Sequence, residues 1–330
     1  MKQTIAAGVL LCMLLFLPVW LGAEETTPVE EPPTAAEPAA AESGEGSDAA
    51  HTVRLWTGSA VEAMTAAEYL RCVVRGEMPA TFEPEALKAQ AVAERTYLYY
   101  RMAAGAKENH PDADVCTDSG CCTAWLSEAD ARAKWGGKFD QYEAKIDQAV
   151  ADTDGQVVLY DGAPIMAVFH SSSAGVTAGS GDVWAAELPY LVSVKTPESP
   201  DSVPNYYSVN TFTAEEFRSI FQKAHADAQL SGDTSGWIRD VLMTDTGRVA
   251  SATVGGVSVT GKELRSLYGL RSAAFTVETD ADSVTFRVTG YGHGVGMSQY
   301  GANELAKEGK TWREILAWYY TGVTIGLYNG

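Results

Sequence analysis

Glu77, His170 and His293 are the residues whose types and settings could do acid–base chemistry. Glu77 lies in Glu68-Tyr-Leu-Arg-Cys-Val-Val-Arg-Gly-Glu-Met-Pro-Ala80, where a helix is expected to end. The helix dipole is negative at that end and disfavours a carboxylate. A partly buried glutamate there has a raised pKa, the property a general acid needs. The plainer alternative is an exposed glutamate before a turn. His170 stands in Phe169-His-Ser-Ser-Ser-Ala-Gly-Val-Thr177, closing a strand and meeting a Ser/Gly turn. Together with hydroxyls such as that of Ser171 it could bind a sugar or an anion. A Ser/His nucleophile pair would lack the G-x-S-x-G elbow. His293 and Gln299 fall in Gly290-Tyr-Gly-His-Gly-Val-Gly-Met-Ser-Gln-Tyr-Gly-Ala302. Glycine this dense lets a backbone approach a ligand or turn through positive φ. It also leaves two polar side chains with little steric cover. The bland counterpart is a strand-to-helix turn with an incidental histidine.

A fourth group, His110, Cys116, Cys121 and Cys122, offers an imidazole and thiolates within a short span. Such donors suit tetrahedral Zn²⁺, and four protein ligands would close the shell, making the metal structural. The competing arrangement is a disulfide from Cys116 to Cys121 or Cys122, outside the cytosol.

These residues need elements to hold them. Thr65 to Arg75 has helical character and stops at Met78-Pro79. A second helix is expected from near Pro84 to about Ala104, since proline suits a first turn. Lys88 and Arg95 are two turns apart on it, about 10 Å along nearly one stripe, and Gln90 lies on the same helix. Residues 156–170 read as a hairpin, Val157–Tyr160 and Ala163–His170, turning at Asp161-Gly162. Pro164 places its second strand at an edge or delays its start. Thr213, Thr260 and Thr311, each followed three residues later by glutamate, resemble capping boxes. Trp312, Ile315, Leu316 and Tyr319 form one apolar helix face. Short strands fall around Ser251–Val259 and Ala274–Thr289. The expected fold class is α+β: mixed helices and short antiparallel strands around a substrate groove, with about 200–275 as a smaller lobe.

The chain begins Met-Lys and then runs without charge from Ile5 to Gly22. That length favours an uncleaved membrane anchor (1–22) over a removed signal, and the body is then extracytoplasmic. Cys12 is a weak lipidation candidate beside bulky Leu11. Residues 23–50 are acidic and rich in Pro and Ala, the composition of a disordered tether. The formal net charge is −19 and the tether supplies under half of it. An acidic body from 51 to 330 argues against nucleic acid and anionic lipid as partners.

In this order, GEMPATFEPEALKAQAVAERTY, HPDADVCTDSGCC, FHSSSAG with DVW and PYL, GKELRSL and GYGHGVGMSQYGA resemble the stage II sporulation protein D family. Its domain is shared with amidase-enhancer proteins of bacterial walls. The resemblance runs from about Thr65 to Ile325. It implies a peptidoglycan lytic transglycosylase, a lyase of sporulation and engulfment, on a single-pass membrane anchor. By that resemblance Glu77 is the catalytic acid, and Lys88, Gln90, Arg95, His170, Ser171, His293 and Gln299 meet substrate. Lys88 and Arg95 would face the lactyl carboxylate of glycan strands stripped of stem peptides. His110, Cys116, Cys121 and Cys122 would hold structural zinc, with Cys121 standing where a histidine is common. The partners implied are glycan strands, an amidase and other engulfment proteins. A wall-binding activator of an amidase is the alternative, and a zinc hydrolase a third reading.

Overall fold

The computed structural model describes residues 46–184 and 186–328. The apolar N-terminal stretch, Cys12 and the tether up to residue 45 lie outside the described residues. Among the described residues no helix is long and apolar enough to cross a membrane.

Two apolar clusters organise these residues into an α+β fold. The larger reaches from Val53 to Ile325. It gathers β1 (Thr52–Trp56), β2 (Val61–Thr65), α1 (Ala66–Glu77), α2 (Pro84–Ala104), β3 (Val115–Cys116), α3 (Glu128–Trp135), α4 (Phe139–Ala151), β4 (Gln156–Tyr160), β5 (Ala163–Pro164), β6 (Phe169–His170) and α5 (Ser180–Val183). The chain then builds a second cluster from β7 (Tyr207–Thr213), α6 (Ala214–Ala224), β8 (Ile238–Met243), β9 (Val249–Val254), β10 (Val257–Thr260), α7 (Gly261–Leu267), β11 (Phe275–Thr279) and β12 (Ser283–Thr289). Its core extends to Val288, so β11 and β12 pack there as well. The chain returns to the first cluster for β13 (Met297–Ser298), α8 (Gln299–Lys307), α9 (Trp312–Tyr319) and β14 (Thr324–Leu327).

Helix α2 is the axis of the larger part, touching α1, α4, α8, α9 and β4. Its alanines at 86, 89, 91 and 93 are fully buried. Small side chains let neighbouring helices and strands approach on several sides, which is why one helix can carry so many contacts. Helix α1 opens with a complete capping box from Thr65 and Glu68, which satisfies two orphan N-terminal groups. The boxes at Thr213 and Thr311 form in full. Thr260 caps α7, but the Glu263 carboxylate turns to His225 Nε2 at 2.8 Å instead.

The expected hairpin forms with Asp161 and Gly162 both at positive φ, but its second strand is only Ala163–Pro164. Proline has no N–H to extend the ladder. Phe169 and His170 pair in parallel with Met297 and Ser298 instead. This short parallel bridge, made after the whole second cluster has been built, joins the two histidine-bearing turns.

Arg95 and Lys88 do not face a cavity, contrary to expectation. Arg95 is fully buried, and its guanidinium grips both oxygens of Asp48 at 2.6 Å. Carbonyls of Val150 and Gln156 and the Thr153 hydroxyl take its remaining N–H groups. Asp48 thus docks the last stretch of the expected tether, residues 46–50, onto α2. Lys88 bridges Glu85 and Asp152, each at 2.9 Å. Removing one member of a buried ion pair strands the other charge. Arg95→Ala should therefore lower the unfolding free energy by about 3–5 kcal/mol. Denaturant titration checks this, and a loss below 1 kcal/mol would show the pair to be dispensable.

Candidate active site

Helix α1 ends on Glu77, and Gly76 explains how closely that end is packed. A Cβ at Gly76 would lie 2.6 Å from the Ala124 carbonyl oxygen. The close approach lets the Ala124 N–H donate to Glu77 Oε1. From the opposite side the Gln299 side-chain amide donates to the Glu77 main-chain carbonyl at 3.1 Å. That carbonyl is one of the orphan acceptors of a helix end. Burial pushes the Glu77 carboxyl above the usual glutamate range, against the pull of Ala124 N–H and Gln299. Desolvation penalises the charged form and dominates here.

Glu77 lines a cavity of about 530 Å³ with Gln299, His170, Ser171, His293 and Tyr291. Among the described residues Glu77 is the one carboxylate in that lining. Lys88, Gln90 and Arg95 are absent from it. Gln90 is fully buried in α2 and its Nε2 donates to Glu94 Oε1 at 3.1 Å.

The two histidines are fixed in neutral, defined tautomers. His170 is buried, and its Nδ1–H donates to the Val295 carbonyl at 3.1 Å. Its Nε2 accepts from the Ser173 hydroxyl at 2.6 Å. Both nitrogens are spoken for, so His170 holds the loop and has no proton free to exchange with a ligand. The Val295 N–H donates to His293 Nδ1 at 3.1 Å, which places the His293 proton on Nε2. Burial lowers the His293 pKa to about 4, helped by the Arg265 charge. Burial, then the charge of His293, holds His170 well below its ordinary range. Gly290, Gly292, Gly294 and Gly296 all adopt positive φ, as a turn through this motif requires.

Two buried carboxyls escaped the sequence reading. Glu198 accepts from Ser173 N–H at 2.7 Å and Ser298 Oγ at 2.6 Å, tying the two turns together. Nothing in Lys195-Thr-Pro-Glu-Ser-Pro200 signals this. Glu94 is fully buried, and its Oε2 has no partner. A charged residue set among the buried alanines of α2 was the available signal. Burial, then the nearby Glu77 charge, raises the Glu94 carboxyl well above the ordinary range. Its folded pKa exceeds its unfolded value, so its contribution to stability is present at low pH and lost as pH rises. Glu94→Gln should flatten that fall and raise Tm at pH 7 by about 2–4 °C or more. Equal slopes of Tm against pH in the two proteins would refute this assignment.

His110, Cys116, Cys121 and Cys122 converge, with donor atoms within 4.8 Å of one another. All three cysteines are free thiols. Cys121 Sγ and Cys122 Sγ are 3.8 Å apart. Two thiolates bound about 2.3 Å from one tetrahedral metal would be separated by about that distance. His110 Nε2 stands 3.7 Å from Cys122 Sγ, while Nδ1 meets the Ala113 carbonyl at 3.1 Å. A second hydrogen bond of this kind orients a metal-binding imidazole. The donor set therefore fits a four-coordinate metal. The chain from Cys122 runs directly to Ala124, the donor to Glu77.

Comparisons with known proteins identify the family. A model of the family described as "Stage II sporulation protein" matches residues 57–160. The chain is 36% identical to stage II sporulation protein D of Bacillus subtilis (strain 168), over 98% of this chain and 96% of that protein. The chain belongs to the stage II sporulation protein D family. It is also 39% identical to stage II sporulation protein D of Bacillus amyloliquefaciens, over 80% of this chain and 75% of that protein. It is 28% identical to the amidase enhancer of Bacillus subtilis (strain 168), over 78% of this chain and 40% of that protein. The matched family segment contains Glu77 and the His/Cys cluster; His170, His293 and Gln299 lie beyond it.

Proposed function

We propose that this member of the stage II sporulation protein D family is a lytic transglycosylase of peptidoglycan. It cuts the β-1,4 bond from MurNAc to GlcNAc, in sporulation and engulfment, and leaves 1,6-anhydro-MurNAc ends. The observation that carries this reading is the lone carboxylate in the cavity lining, raised in pKa by burial. A common glycosidase needs two carboxylates, an acid plus a base or a nucleophile. Here the C6 hydroxyl of the same sugar attacks its anomeric carbon, so no second carboxylate is required. Glu77 protonates the leaving oxygen and then takes the proton from that hydroxyl. The attacking group is tethered, so little entropy is lost. The His293 Nε2–H and the Ser171 hydroxyl orient the sugar, and the exposed Tyr291 ring offers it an apolar face. Gln299 and Ala124 position Glu77.

His110, Cys116, Cys121 and Cys122 hold a structural Zn²⁺ in this reading, whose closed shell braces the loop leading to Ala124. An N-terminal anchor places the domain outside the cytoplasm beside an amidase and other engulfment proteins. Similarity to a protein named amidase enhancer favours a second reading, activation of an amidase without glycan cleavage. Mass spectrometry of glycan digests separates the two. Anhydro-ended products from the chain alone support the enzyme. Stem-peptide loss only when an amidase is added, with intact glycan, supports the activator.

A further inference from the structure

Lys107 is a half-buried cation with no acid beside it. In a chain of net charge −19 acids are plentiful. Yet among the described residues no carboxylate lies within 4.0 Å of its ammonium. The ammonium points into the His/Cys cluster instead. It donates to the Cys121 carbonyl. Its Nζ also stands 3.5 Å from Cys121 Sγ and 3.7 Å from Cys122 Sγ, within reach of N–H···S bonds. A tight turn fixes this approach. The His110 N–H donates to the Lys107 carbonyl at 3.0 Å, so ammonium and imidazole reach the cluster from one short loop. Asn109, in the same turn, gives an Nδ2–H to Cys121 Sγ at 3.2 Å. A neutral thiol is a weak acceptor, whereas a thiolate takes charge-assisted hydrogen bonds. Metal binding requires the thiolate form. Three thiolates and a neutral imidazole around a divalent ion leave one net negative charge. Away from bulk water such a charge is costly unless a cation compensates it.

The geometry points to Lys107 as the counter-charge of the metal centre formed by His110, Cys116, Cys121 and Cys122, a positioning residue that binds no metal itself. This assignment rests on the structural-zinc reading and names what retains the metal besides its four ligands. The ammonium and the Asn109 amide hold the sulfur of Cys121 from two sides, and the ammonium reaches Cys122 as well. With Lys107 counted, the loaded centre is neutral overall. It then puts no net charge on the wall that Cys122 shares with the Glu77 cavity. A mere brace for the Cys121 carbonyl would need a donor and no charge, and that difference can be measured.

The test is the Zn²⁺ affinity of the full chain, read by competition with a chromophoric chelator, in Lys107→Arg, Lys107→Gln and Lys107→Met. Arginine keeps the charge. Glutamine keeps an N–H donor without the charge, and methionine keeps only an apolar stem. Lys107→Gln and Lys107→Met should each bind Zn²⁺ about 10–100-fold more weakly, the usual cost of losing an outer partner of a metal site. Lys107→Arg should restore the affinity of the unmodified chain. Co²⁺ loaded in place of Zn²⁺ supplies a second readout, the thiolate-to-metal charge-transfer absorption, which reports the bound thiolates. At saturation it should be equal in all four chains, because the ligands themselves are untouched. A Lys107→Gln chain as tight as the unmodified one would reduce Lys107 to a brace and overturn the counter-charge. Lys107→Arg as weak as Lys107→Gln, or a weaker Co²⁺ band at saturation in Lys107→Gln, would overturn it as well. Each of those results leaves the zinc reading standing. An unmodified chain that takes up neither Zn²⁺ nor Co²⁺ would sink the zinc reading, and the counter-charge with it.

Discussion

Glu77→Gln should slow the formation of anhydro-ended products by about 10²–10⁴-fold, the range a positioned general acid contributes. Glutamine keeps the shape and can still accept from Ala124 N–H, so folding is expected to persist. It cannot hand a proton to the glycosidic oxygen or take one from the C6 hydroxyl. The pH profile gives the sign of the same effect. The acid form is the active one for bond breaking, and burial raises its pKa. Activity should therefore hold above the usual glutamate range and fall as pH rises through the Glu77 value. Product analysis at matched Tm is the measurement. Undiminished anhydro ends from a folded Glu77→Gln would remove Glu77 from the chemistry.

Loss of the proposed zinc should be the next largest effect. Cys122→Ser, or exhaustive chelation of the unmodified chain, should abolish bound zinc and lower Tm. A structural zinc site is worth on the order of 10 kcal/mol. Losing even a third of that lowers Tm by about 7–13 °C. Activity should fall with it, because the loop from Cys122 delivers Ala124 N–H to Glu77 Oε1. Elemental analysis and thermal unfolding provide the readouts. One zinc per chain before treatment and a matching fall in Tm after it are expected. A fully folded, fully active protein without metal would rule out bracing by this cluster.

The local elements were legible because local rules fix them. Thr65 capping, the stop at Met78-Pro79 and the Pro84 start bound α1 and α2 as the sequence indicates. Asp161-Gly162 makes its turn for the same reason. The converging donors His110, Cys116, Cys121 and Cys122 lie close in sequence, so spacing alone brought them to notice. What failed was the facing of charges on α2. Two turns of a helix set Lys88 and Arg95 on one stripe, but a stripe does not say what lies opposite it. Asp48, Glu85 and Asp152 do. Glu94, on that same helix, was passed over because burial on every side depends on α1, α8 and α9 packing round it.

The sequence by itself determined the helices and turns, the place of Glu77 at a helix end, and the family. Those depend on neighbours along the chain, through caps, dipoles and φ preferences. Only the tertiary structure decided which residues meet. The bridge of β6 to β13 joins His170 and His293 across the whole second cluster, and Arg248 and Arg265 reach His293 from that cluster. Such contacts arise where two cores close on each other, and residues far apart in the chain carry no periodic trace of that closure.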